Sequence, residues 1–137
     1  MTREIEFRGR LKSDGSWVYG DLIHDNHGGC YIYPIESMCL SLENKVDANT
    51  VGQFTGLRDK NGVKIFEGDI VEVISIMCGY KVSIKRMLCE IVYDNDLCCF
   101  NFLASDRERC MCVTIPDAEI KVIGNIHDNP ELSDNKG

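Results

Sequence analysis

Along this chain polar and apolar residues alternate in short bursts with a period of two, and glycine, asparagine and aspartate punctuate the bursts. Residues 4–8 alternate, with Ile5 and Phe7 on one parity, and residues 12–16 (Lys-Ser-Asp-Gly-Ser) read as a turn. Residues 17–23 predict a second strand, in which Trp17 and Tyr19 share one parity and Val18 takes the other. A short strand over 30–35 is stopped near Pro34, residues 36–42 are ambiguous, and Asp47 is placed to cap a brief helical turn over 47–50.

The densest punctuation falls in residues 50–73, TVGQFTGLRDKNGVKIFEGDIVEV. Here Thr55-Gly56, residues 59–62 and residues 67–69 each offer the positive-φ residue that a tight reversal needs, and Asn61-Gly62 fits a primed hairpin turn. Residues 69–77 are apolar on both parities, which predicts a buried strand. Residues 82–93 and 97–103 flank Asp94-Asn95-Asp96 as a hairpin. A strand over 110–115 is broken at Pro116, and 119–126 either closes a sheet or makes one helical turn before Asp128-Asn129-Pro130.

About eight short strands with no long amphipathic helix predict a mainly β fold: an antiparallel meander forming a small barrel or two partial barrels, with an SH3-like element around residues 50–103 and few or no long helices. The length of 137 residues supports a single domain over 1–132 with a polar tail over 133–137. Apolar runs fall far short of a membrane span, and the charged start MTREIEFRGR lacks the apolar segment of an export leader. The net charge of -7 weighs against a broad nucleic-acid surface, which needs clustered Lys and Arg. The densest cluster, Lys81, Lys85 and Arg86, is small enough to be a solvated strand face.

The eight cysteines allow disulfides, a metal or simple packing. In a reducing compartment free cysteine packs as a small hydrophobe. The best metal candidate is Cys110-Met111-Cys112, because residues two apart on a strand point the same way, but no partner pair accompanies it and no metal site is assigned. Cys98 and Cys99, if extended, face opposite ways. His24-Asp25-Asn26-His27 followed by Gly28-Gly29 reads as a polar turn rather than an acid/base pair, and His127 lies far along the chain. No nucleophile elbow, phosphate-cradling glycine loop or cysteine signature is present, so no catalytic residue and no cofactor are assigned.

Three separated blocks carry a specific resemblance: IEFRGR with GSWVYGDLI near the start, the 50–73 stretch in the middle, and IKVIGNIHDNPEL at the end. Together they resemble the YopX family of phage and prophage proteins. Phe66 and His127 stand where that family commonly has tyrosine, residues 47–50 replace a Pro-Glu-Thr pattern, and 75–117 carries none of its motifs. The resemblance implies a mostly β protein of the bacterial host cytoplasm, encoded by a phage or an integrated element, and brings no activity, cofactor or catalytic residue.

Within the blocks, Arg8, Gln53, Asp59, Lys60 and Asp69 either cap turns by local hydrogen bonding or line a partner surface. The leading expectation is a non-enzymatic module that binds a host or phage protein, or self-associates. The alternative is a nucleic-acid-binding module of SH3-like or OB-like type, with Trp17, Tyr19, Tyr31 and Tyr33 stacking bases.

Overall fold

The computed structural model describes residues 3–34, 44–78, 82–104, 109–110 and 119–133. The chain forms two compact units, Met1–Gly56 and Leu57–Gly137.

In the first unit, β1 (Phe7–Arg10), β2 (Trp17–His24), β3 (Cys30–Tyr33), β4 (Lys45–Val46) and the start of β5 (Gly52–Arg58) are antiparallel neighbours in the order β4-β3-β2-β1-β5. The period-two pattern sends Phe7, Leu11, Val18, Leu22, Cys30, Ile32 and Val46 to one side, where Ile32 and Val46 are fully buried. Each such side chain contributes about 2 kcal/mol by leaving water.

β4 also meets the continuation of β1: the Lys12 N–H donates to the Lys45 carbonyl and the Asp47 N–H to the Arg10 carbonyl, both at 2.9 Å. Strands β1 to β4 thereby curl around their core as a partial barrel. Asp47 caps the 3-10 turn Ala48–Thr50, its carboxylate accepting from the Asn49 N–H at 3.1 Å. Gly20 sits where β2 passes the end of β3. A β-carbon there would collide with the Tyr33 carbonyl oxygen, and its φ of 157° disfavours any side chain.

The second unit begins with the last two residues of β5, which turn into β6 (Lys64–Phe66). It continues with β7 (Asp69–Cys78), β8 (Val82–Asp94), β9 (Cys99–Ala104), β10 (Arg109–Cys110), β11 (Glu119–Asn125) and the one-turn helix α1 (Pro130–Ser133). Its sheet runs β10-β9-β8-β7-β11 with every pairing antiparallel. The registers Val71↔Cys89, Cys89↔Ala104, Ile91↔Phe102 and Val71↔Val122 align one face. That face is the second core, with Ile65, Val71, Val73, Cys89, Ile91, Phe102 and Ala104 buried together.

The mainly β, antiparallel architecture without a long helix holds, and among the described residues neither sheet closes into a barrel. No helix of the described residues is long and apolar enough to cross a membrane. The start of β7 is buried on both parities, with Ile70 on one and Val71 and Val73 on the other.

Three local expectations are corrected. Thr55-Gly56 is not a reversal: β5 runs through it, and Gly56 takes φ 91° within the strand, since one left-handed residue bends a strand without turning it back. Asn61-Gly62 is not a primed turn, which needs a positive φ at the first of its two central residues. Gly62 alone is left-handed at 83°, because the Asp59 carboxylate binds the Asn61 and Val63 N–H groups and fixes a different loop. The strand expected over 97–103 starts at Cys99, because the Asp94 carboxylate draws the Asp96 and Leu97 N–H groups into the turn. Residues 36–42, the Cys110-Cys112 side chains and the tail after residue 133 lie outside the described residues.

Candidate binding surface

The strand pairings that hide one parity of β1, β2 and β3 in the first core turn the other parity outward. Arg10 lies opposite Trp17, Arg8 opposite Tyr19, Asp21 opposite Tyr33, Ile23 opposite Tyr31, and Tyr31 opposite Lys45. Residues directly opposite in an antiparallel pair share a face. Trp17, Tyr19, Tyr31 and Tyr33 therefore all stand on one outer sheet face. Tyr19 is 44% and Ile23 43% exposed there.

Local chemistry organises this face. The Arg8 and Arg10 guanidiniums lie 4.8 and 5.2 Å from the Trp17 ring centre, within cation–π range. Tyr31 and Tyr33 stack with centroids 6.5 Å apart and planes 8° from parallel. Asp25 anchors the turn after β2: its carboxylate accepts from the Gly29 N–H at 2.7 Å, the His27 N–H at 2.9 Å and the Tyr31 hydroxyl at 3.0 Å. The Gly29 and His27 amides hold the Asp25 carboxyl below its ordinary pKa, and the bond to Asp25 pushes the Tyr31 hydroxyl up. His24 ends β2 opposite Cys30, and residues 25–29 make the polar turn their composition predicts.

The five polar residues singled out in the sequence do not gather in one place. Arg8 is buried with its guanidinium against the Trp17 ring, and Gln53 lies half-buried opposite Phe7. Asp59 is buried in the β5–β6 turn. Its Oδ1 accepts from the Asn61 and Val63 N–H groups and its Oδ2 from the Val122 N–H at 3.0 Å. Burial works to raise its pKa, but the Val122, Val63 and Asn61 amides together outweigh that and hold it below the ordinary value.

Lys60 is exposed; its N–H donates to the Ile120 carbonyl and its ammonium lies 3.5 Å from Glu119. Asp69 is buried and accepts from the Phe66 N–H at 2.7 Å. The Asp59 and Lys60 contacts thus cover part of the outer edge of β11. Among the described residues no three His, Cys, Asp or Glu side chains converge.

The four aromatic rings are legible in the sequence as a candidate stacking set and Asp25 as part of a polar turn, but not Arg10, Ile23 or Lys45 as their neighbours. The signal was present as parity: residues 17, 19, 21 and 23 and residues 31 and 33 must share faces within their strands. Only the register makes those two sets one surface.

These features define a small antiparallel β protein of two units, with an aromatic outer face on the first. The chain belongs to the YopX family, whose profile, described as YopX protein, matches residues 6–134. It is similar to the crystal structure of protein EF1440 from Enterococcus faecalis, at 26% identity and a TM-score of 0.58, over 96% of this chain and 99% of that one. None of the curated proteins matches it.

Proposed function

We propose that this chain is a non-enzymatic β-module of phage or prophage origin that acts in the host cytoplasm by binding a protein through the outer face of its first unit. The observation behind this reading is the collection of Trp17, Tyr19, Tyr31 and Tyr33 on one face beside Arg10 and the exposed Ile23. Tryptophan, tyrosine and arginine are the residue types that dominate binding energy at protein interfaces. Arg8, its guanidinium 4.8 Å from the Trp17 ring centre, belongs to the same face.

The double variant Tyr19→Ser/Ile23→Ser tests this. Both side chains are more than two-fifths exposed, so folding and thermal stability should match the parent. In light scattering after size exclusion, and in affinity capture from host lysate, the parent should self-associate or retain a protein that the double variant loses. A monomeric parent with nothing captured, or a variant that behaves identically, overturns the proposal.

The same four rings support a second reading, single-stranded nucleic-acid binding by base stacking. The net charge of -7, with Asp21 and Asp25 beside the rings, works against attraction of a polyanion. Fluorescence anisotropy with single- and double-stranded probes at low salt decides it: no shift removes this reading.

A further inference from the structure

The tip between β8 and β9 carries two thiols that neither core uses. Cys98 and Cys99 are free and exposed, whereas Cys30 and Cys89 are buried in the first and second cores. Adjacent cysteines on an extended strand diverge to opposite faces. Cys98 is not extended: its φ is 54°, and it is the only non-glycine with positive φ among the described residues.

That conformation normally selects glycine, asparagine or aspartate, because a β-carbon crowds the following carbonyl. Here it is imposed by the turn, where Asp94 accepts from the Asp96 and Leu97 N–H groups. Consecutive Cα atoms lie about 3.8 Å apart, so the two neighbouring thiols can reach a common atom once the Cys98 thiol, which donates to the Asn95 carbonyl at 3.6 Å, gives up that bond. The tip offers a pair of exposed sulfurs. A pair of sulfurs suits soft, low-coordinate thiophiles better than a four-ligand zinc site.

We propose that Cys98 and Cys99 form a vicinal-dithiol site that captures soft, low-coordinate thiophiles of the trivalent-arsenic class. With an organic arsenic(III) oxide, two As–S bonds form while the As=O bond and two S–H bonds break. The two protons leave with the oxygen as water, and arsenic stays trivalent throughout.

Phenylarsine oxide added to the full chain, followed by intact-mass measurement and peptide mapping, tests the site. The expected result is one phenylarsenic group mapped to the peptide carrying Cys98 and Cys99, stable to excess monothiol and released by a dithiol. Cys98→Ser and Cys99→Ser should each lose that group completely, because a chelate needs both sulfurs, while a monofunctional alkylating reagent still labels the thiol that remains. Cys98→Gly removes the thiol and suits the backbone, so it should lose the group while its thermal midpoint rises, which separates lost chemistry from lost folding. A single variant that keeps the parent's group at this peptide, or a parent adduct released by monothiol, overturns the proposal.

Discussion

Asp59 shows how much one side chain can hold. Its carboxylate takes two N–H groups of its own turn and a third from Val122, 63 residues further along. Asp59→Ala leaves those donors without their acceptor and should cost about 3 kcal/mol in a denaturant titration. Asp59→Asn is expected to be nearly as damaging, because its amide NH2 must face an N–H in place of one acceptor oxygen.

The pH dependence follows from the direction of the shift. The folded carboxyl lies below its ordinary value of 3.8, so its stabilisation is complete above that value and lost as pH falls through the lower folded one. Acid unfolding curves should show this component in the parent and lack it in Asp59→Asn. Cys98 shows the opposite economy, a side chain kept against its backbone preference. Cys98→Gly should gain about 1 kcal/mol in the same titration, since a left-handed residue with a β-carbon is disfavoured by that order.

At the level of elements, the hairpins depend on which residue controls each reversal. Glycine spacing alone suggested three similar turns in residues 50–73. In the structure the carboxylates of Asp59 and Asp69 decide two of them, and Gly56 only bends β5. The chemistry of aspartate was legible in the sequence, but the identity of its amide partners was not, because Val122 is distant in the chain. Gly20 lies inside β2, where the Tyr33 carbonyl is packed against it. Gly20→Ala should destabilise the first unit by about 3 kcal/mol, since the obstacle is backbone and cannot swing aside. Hydrogen exchange should show the loss of protection in the paired amides of β2 and β3.

At the scale of the whole molecule, the described residues build two cores, around Ile32 and Val46 in Met1–Gly56 and around Val71, Val73 and Ile91 in Leu57–Gly137. Ile32→Ala and Val71→Ala each create a cavity at a fully buried site and should cost about 2–4 kcal/mol. Hydrogen exchange separates their effects: Ile32→Ala should lower protection chiefly in β1 to β3, and Val71→Ala chiefly in β7 to β9. Uniform loss of protection along the chain in both variants would show instead that the units unfold as one.

Period-two alternation and turn chemistry by themselves determined the strand-rich class, the antiparallel hairpins and most strand positions, because these depend on residues within a few places of one another. The three sequence blocks also carried the family. Only the tertiary structure decided that β4 returns to β1 and curls the first strands into a partial barrel, that Asp59 reaches β11, and that two sets of aromatics share an outer face. Register between strands depends on pairings across intervening turns, and no local pattern encodes which residue lies opposite which.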